Sequence, residues 1–427
     1  MVMMMNIEII EKIKLIKTGS KPKGYNKYKK DIFPSDWSYV KLGEVVNKIV
    51  GGGTPSREFA DYYTGNIPWA TVKDLKDLNY KSDTIEYITE EAISNSSAKL
   101  IDRDKFIIST RMGLGRGFIN TVPMAINQDL KAIYPNENML DVKYLMYWYK
   151  SKAEQIEYAG GGSTVKGIDL ESLKKLQLSL PPINEQKEIL LVIECWDKAI
   201  ELKEKLLQEK KKQKKGMLER LLTGKVRLKG FNEEWNKVRL DKLIEESKER
   251  STINNQYDIL SVTKDGVFLQ SEYFNRQIAS EDNIGYKVVR KNNLVFSTMN
   301  LWMGSIDILD NYEVGIVSPA CKVFYLNEEF IDVSFMKYFV KSTYMMNLYS
   351  LNSEQGASVV RRNLDLKGLL STKVKLPTIE EQKEIGKILD VSSREINLLK
   401  KEIKLLKEQK KGLMQLLLTG IVRVKCD

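Results

Sequence analysis

The sequence predicts an α/β (α+β) chain: two similar globular domains joined by two long helices packed as a coiled coil, for which either orientation is sterically possible and the antiparallel one, with its pseudo-twofold axis, is the natural choice. Three observations predict it. First, the chain is written twice. Leu180-Pro181-Pro182-Ile183-Asn184-Glu185-Gln186-Lys187-Glu188-Ile189 returns as Leu376-Pro377-Thr378-Ile379-Glu380-Glu381-Gln382-Lys383-Glu384-Ile385, a shift of 196 residues. The same shift carries Gln213-Lys214-Lys215-Gly216 onto Gln409-Lys410-Lys411-Gly412, and Leu221-Leu222-Thr223-Gly224 onto Leu417-Leu418-Thr419-Gly420. A period this long is a duplicated domain with its connector, because solenoid units run only ~20–50 residues. Second, both copies of the motif open proline-free runs, 183–222 and 379–418, that close at Thr-Gly. Proline just before a helix and glycine just after it are start and stop signals. Third, the intervening stretches alternate between strand-like and helix-like patterns, as two domains of mixed class require.

Taken from the N-terminus, Ile7, Ile9, Ile10, Ile13, Leu15 and Ile16 are interrupted by Glu and Lys. That pattern predicts a short amphipathic helix and not a secretory signal, which needs an unbroken apolar stretch. Phe33-Pro34-Ser35-Asp36-Trp37 with Val40 and Leu42 recurs as Phe231-Asn232-Glu233-Glu234-Trp235 with Val238 and Leu240, and marks the entry to each domain. Gly51-Gly52-Gly53-Thr54-Pro55 follows an apolar stretch, so it is a turn whose backbone could approach a phosphate or simply reverse the chain. Phe106–Thr110 and Leu294–Thr298 read as equivalent buried strands ending in small hydroxyl residues. Gly113-Leu114-Gly115-Arg116-Gly117 fails the G-x-G-x-x-G spacing and is a loop carrying Arg111 and Arg116. Residues 142–151 and 333–342 read as short aromatic-rich helices, and Asp169-Leu170 matches Asp365-Leu366 just ahead of each connector.

In the second connector Ile385, Leu389, Ser392, Ile396, Leu399, Ile403, Leu406, Lys410, Leu413 and Leu417 alternate spacings of four and three, which is a coiled-coil seam. The first connector is poorer, with Lys203, Lys210 and Lys214 in the same register, and needs a partner to cover its apolar part. The other copy is the obvious partner. Lys210–Lys215 is the densest charge cluster. It suits DNA phosphates, an acidic protein surface or a solvated helix face alike.

Composition narrows the function. At 42% hydrophobic and 29% charged residues this is a folded chain, with no run near the ~20 apolar residues a membrane span needs. Cys195, Cys321 and Cys426 are isolated and odd in number, pointing to a reducing, cytoplasmic setting. The net charge of +11 favours a polyanionic partner, since lysine and arginine release condensed counterions at phosphates. Histidine is absent altogether, which removes Ser-His-Asp and Cys-His chemistry and histidine metal sites. No phosphate loop of a motor ATPase and no Asn-Pro-Pro-aromatic tetrad occurs. Glu380-Glu381 reads as the acidic first turn of a helix. Catalysis therefore belongs to partners, with no catalytic and no metal-binding residue in this chain.

The tandem L-P-[PT]-I-x-E-Q-K-E-I segments, each running into a helix that ends at L-L-T-G-x-V-R, resemble the specificity subunit of type I restriction–modification enzymes. The F-x-x-x-W entries and the Gly52-Gly53-Thr54-Pro55 turn fit the same family, and the resemblance covers essentially the whole chain. It implies an N-terminal helical segment (1–36), target recognition domain 1 (37–178), helical connector 1 (179–230), target recognition domain 2 (231–374) and helical connector 2 (375–427). Each recognition domain would read half of a bipartite, gapped double-stranded DNA sequence, and the paired helices would set the gap. Two methyltransferase subunits and two motor-nuclease (restriction) subunits would dock on this chain. S-adenosylmethionine, ATP and Mg would be held by those subunits, and no cofactor by this one.

On that reading the candidate DNA contacts in the first domain are Gly52, Thr54, Arg57, Lys73, Arg111, Arg116, Gln128 and Lys166. Those in the second are Lys264, Arg276, Asn300, Trp302, Arg361 and Arg362. Arginine suits guanine edges, and Asn or Gln suits adenine edges. The second copy departs from the family pattern, with Lys264-Asp265-Gly266 in place of a Gly-Gly-Thr-Pro turn. A coiled-coil assembly scaffold with no DNA reading of its own is the competing expectation. The divergence of loops rich in Arg, Asn, Gln and aromatics speaks against it.

Overall fold

The structure is a computed structural model that describes residues 2–29, 31–76, 79–159, 167–274, 282–355 and 362–424. Its helices include α1 (Val2–Lys17), α2 (Val142–Ser151), α3 (Ile183–Leu221), α4 (Val333–Phe339), α5 (Thr343–Leu351) and α6 (Ile379–Leu418). Two compact units emerge, residues 1–202 with 404–427 and residues 203–403, so each long helix is divided between them.

The first unit holds a five-stranded and a four-stranded sheet. In the former, Val46–Gly51, Leu130–Pro135, Phe106–Ser109, Gly117–Asn120 and Tyr80–Lys81 lie side by side. In the latter the order is Glu86–Ile88, Ile67–Ala70, Met124–Ile126 and Lys99–Ile101. Phe106–Ser109 is buried at every position, as a continuous apolar run in a central strand should be. Helix α2 packs on this layer with Tyr144 to Tyr149 all buried. The N-terminal helix stops at Lys17, before the left-handed Gly19, and a hairpin of Tyr25–Tyr28 with Asp31–Pro34 follows. The segment 1–36 is therefore only half helical, and its Phe33 joins the core of the unit.

The second unit is built alike around Ile244–Glu246, Cys321–Leu326, Leu294–Ser297 and Ile306–Ile308. Leu294–Ser297 is again buried throughout, the counterpart of Phe106–Ser109. The expected helix 333–342 breaks in two. It ends at Phe339, and Ser342 turns outward to cap α5 by accepting from the Met345 amide. A hydroxyl residue that bonds its own backbone favours a cap over a helix interior, and here that preference wins.

The repeated motif explains itself in both units. Gln186 is buried at the first turn of α3. Its side-chain amide donates to the carbonyls of Pro181 (2.9 Å) and Met139 (2.7 Å), and its oxygen accepts from the Asp141 amide (2.9 Å). Gln382 repeats the clamp on Pro377, Phe330 and Asp332. Asp141 and Asp332 in turn cap α2 and α4, so one glutamine ties each connector to the aromatic helix of its own domain.

The adjacent glutamate does a second job. Glu185 binds Arg423 through Nε (2.5 Å) and Nη2 (2.8 Å), and Glu381 binds Arg227 through Nε (2.8 Å) and Nη2 (2.7 Å). The arginine that follows one connector thus locks onto the start of the other. Glu381, fully buried, is more than an acidic first turn.

The seam of α6 is buried at Ile385, Leu389, Ser392, Ile396, Leu399 and Ile403, as its spacing requires. Within the second unit the seam lysines of α3 meet carboxylates of α6, Lys203 with Glu402 (2.8 Å) and Lys210 with Glu395 (2.7 Å). Seven residues forward on one helix match seven back on the other, so these segments run antiparallel. Such half-exposed pairs contribute only about 0–1 kcal/mol each, and their value is orientation.

Candidate nucleic-acid interface

Both units place a loop against the segment that precedes the connector. In the first, Thr110 ends the central strand and is held by the Asp129 carbonyl, which accepts from its amide (2.9 Å) and hydroxyl (3.0 Å). Arg111 then bridges to Gly167. In the second, Thr298 is held by the Ala320 carbonyl (3.4 and 2.9 Å), and the Met299 carbonyl accepts from the Arg362 amide (3.4 Å). The same hydroxyl residue at the same strand end builds the same junction twice. The side chains presented there differ.

In the first unit the junction opens a cleft of about 620 Å³ lined by Thr110, Arg111, Gln128, Lys131 and the start of the 167–170 segment. Arg111 is 67% exposed, and its nearest carboxylate, Asp129, is 4.0 Å away, so the guanidinium is available to a ligand. Lys131 donates to the Gln128 carbonyl (3.1 Å), and burial pulls its ammonium below the ordinary lysine range, with Asp129 opposing. Thr54 and Gln128 meet side chain to side chain at 2.6 Å, which brings the glycine turn to the rim of the cleft. Lys131 was not anticipated. It sits mid-strand in Leu130–Pro135, where periodicity shows only a strand residue.

Gly52 itself faces inward. A Cβ there would lie 1.8 Å from the Ile126 carbonyl oxygen, and the neighbouring Gly53 amide donates to that same oxygen (3.0 Å). The glycine is needed for close approach to protein backbone, leaving Thr54 to face outward. Arg57 is committed elsewhere: it grips Glu86 bidentately (2.6 and 2.9 Å) and lies 4.0 Å over the Tyr63 ring. That arginine holds the Glu86 carboxyl below its usual value. Lys73 is exposed on a short 3-10 turn, and Arg116 is exposed beyond the left-handed Gly113 and Gly115. Neither shares the cleft. Lys166 lies outside the described residues.

In the second unit Arg362 stacks on Trp302 (4.1 Å to the ring centroid), while its buried Nε finds no acceptor among the described residues. Asn300 precedes the same short turn, Leu301–Met303. Lys264 is exposed at the tip of the hairpin joining Leu260–Thr263 to Gly266–Leu269, away from that group in sequence. Arg276 and Arg361 lie outside the described residues. Among the described residues no group of carboxylates and thiols is arranged to hold a metal ion, and no helix is long and apolar enough to cross a membrane.

Comparison with known proteins now decides the family. The sequence model of the type I restriction modification DNA specificity domain matches residues 34–211 and again 232–408. This chain belongs to that family. Its two matched stretches coincide with the two copies of the repeat, so this is a chain of two specificity domains, and the matched domain is a specificity domain and not a catalytic one. Among curated relatives, the specificity subunit of type I restriction enzyme MjaVIII from Methanocaldococcus jannaschii is 25% identical over 416 residues, covering 92% of this chain and 94% of its own. The MjaIX specificity subunit from the same organism is 31% identical over 176 residues, 40% of this chain and 40% of that one. This chain thus spans well under two thirds of MjaIX in that match. A solved specificity subunit from Thermoanaerobacter tengcongensis shares the fold of the specificity chain, with a TM-score of 0.53 and 16% identity over 91% of this chain and 98% of that.

Proposed function

We propose that this specificity chain reads a bipartite, gapped double-stranded DNA sequence, one half with each unit. The observation that carries the reading is the duplicated junction: one frame, presenting Arg111, Gln128 and Lys131 in the first unit and Asn300, Trp302 and Arg362 in the second. Phosphate contacts fix register, and base-edge contacts specify. Linking two modest readings on one chain converts the second into an intramolecular event, which raises affinity and restricts the gap. The long helices, each divided between the units, act as the ruler, and the antiparallel ion pairs of the second unit support that role.

On this reading the chain is cytoplasmic and catalytically silent, and it docks two methyltransferase and two restriction subunits. Those partners hold S-adenosylmethionine, ATP and Mg and carry out adenine methylation and cleavage. A scaffold without DNA reading would have no use for an exposed Arg111, held only loosely by Asp129, beside an amide side chain. Long-read mapping of modified adenines tests the reading, in cells expressing the chain with its methyltransferase subunit and in cells lacking only the chain. A gapped two-part motif that appears only with the chain supports it. Unchanged methylation with an assembled complex reduces the chain to a scaffold.

A further inference from the structure

The two units differ at one charged site that no DNA-reading loop uses. In the first, Lys410 of α6 lies over the Tyr147 ring (5.2 Å to the centroid) and is neutralised by Asp197 of α3, which also accepts from the Tyr147 hydroxyl (2.6 Å). In the second, the counterpart Lys214 of α3 lies over Tyr338 at the same 5.2 Å. The 196-residue shift that maps Lys214 onto Lys410 also maps Asp197 onto Ser393. Ser393 keeps only a hydroxyl contact with the Tyr338 hydroxyl (2.7 Å), and no carboxylate pairs with Lys214 among the described residues. Tyr338 donates instead to Asp390 (2.6 Å), one turn earlier on α6, and Asp390 is approached by Lys337 (3.8 Å).

Cations and space surround Lys214. A cavity of about 720 Å³ opens beside Lys214, lined by Lys215, Lys225, Lys337 and Lys341 and by the first residues of α5. Two carboxylates reach it as well, Asp307 and Glu219. Asp307 is engaged by Lys341 (2.6 Å), and Lys337 is engaged by Asp310. Lys214, Lys215 and Lys225 make no ion pair among the described residues; Glu219 lines the same cavity, and Asp390 acts on Lys214 from beyond ion-pair distance. The half-buried ammonium of Lys214 is pulled below the ordinary lysine range, first by burial and then by Lys337, with Asp390 only partly offsetting. A charge held in that state is stabilised by a bound anion.

We propose that this cavity is a phosphate-binding site, specific to the second unit, in which a bound anion answers Lys214, Lys215 and Lys225 as Asp197 answers Lys410 in the first. Phosphate fits better than a single carboxylate because several ammonium groups converge and a helix N-terminus borders the cavity. The inference does not depend on which bases the loops read.

The test uses the full chain and two probes, inorganic phosphate and pyrophosphate, titrated against chloride at constant ionic strength. Saturable binding is expected in the wild type, weakened at least about tenfold in Lys214→Gln. Ser393→Asp is the stronger test, since it installs the counterion of the first unit and should abolish binding while preserving the fold. Wild-type-like binding in Ser393→Asp, or no saturable binding in the wild type, overturns the proposal. A duplex lacking any methylation motif separates the sources of phosphate. If it displaces pyrophosphate, the site serves the DNA backbone; if it does not, a free phosphate compound is the ligand. Either result upholds phosphate as the chemistry.

Discussion

The first unit secures the arginine of the distant connector more thoroughly than the second does. Arg423 is shared by Glu185 and Asp36 (2.7 Å), and Trp37 donates its indole N–H to Glu185 (2.9 Å). Arg227 has Glu381 and the Glu233 carbonyl (2.8 Å), while the indole N–H of Trp235 is buried without an acceptor among the described residues. The same pattern governs Lys410, ion-paired with Asp197 in the first unit, and Lys214, which makes no ion pair among the described residues in the second. Both copies have the cations and the aromatic rings, and they differ in the acceptors placed around them. A frame can therefore persist while its internal charge balance is released for other uses.

The comparison can be broken at several points. The largest effect is expected at Gly52, where alanine would drive Cβ into the Ile126 carbonyl, a shift of backbone and not merely of a side chain. Gly52→Ala should cost about 3 kcal/mol or more, at the upper end for overpacking. Hydrogen exchange would then show lost protection in residues 46–135 with residues 244–326 unaffected. Equal loss in both units would mean that the two do not fold as separable bodies.

Glu185→Ala should cost about 2–4 kcal/mol, because it strips partners from both Arg423 and the buried Trp37 indole. Glu381→Ala should cost about 1 kcal/mol less, since Trp235 has no bond there to lose. Thermal unfolding of the pair measures the difference. Equal costs would show that the indole bond contributes nothing to the contrast between units.

The smallest effect concerns Gly216 and Gly412, matching positions inside α3 and α6 with open space at both. Alanine at either should stabilise by about 0.5–1 kcal/mol, through helix propensity alone. A loss at one would reveal a close approach, absent from this structure, that distinguishes the two helices.

The frame was legible in the sequence. A 196-residue shift, proline before each long helix and Thr-Gly after it located α3 and α6 to within a residue of their ends. Of the ten seam positions of α6, seven are buried, and Leu406, Lys410 and Leu413 are half-buried. The purpose of the repeated Glu and Arg was hidden, because Glu185 and Arg423 are 238 residues apart and periodicity carries no long-range information. Thr54 and Gln128, both named from the sequence, do meet, yet nothing in their spacing of 74 residues announced it. Arg57 looked as available as Arg111, and only the structure reveals that Glu86 occupies it. Lys131 was invisible because a lysine in a strand is ordinarily a solvated side chain.

The central claim, that the two units read different halves of one target, is tested most directly by mapping modified adenines genome-wide for Arg111→Ala and Arg362→Ala in the assembled methyltransferase. Each variant is expected to relax one half of the gapped motif, by about 1–3 kcal/mol of base discrimination, with the other half and the gap unchanged. Relaxation of both halves by either variant, or of neither by both, would contradict the division of labour between the units.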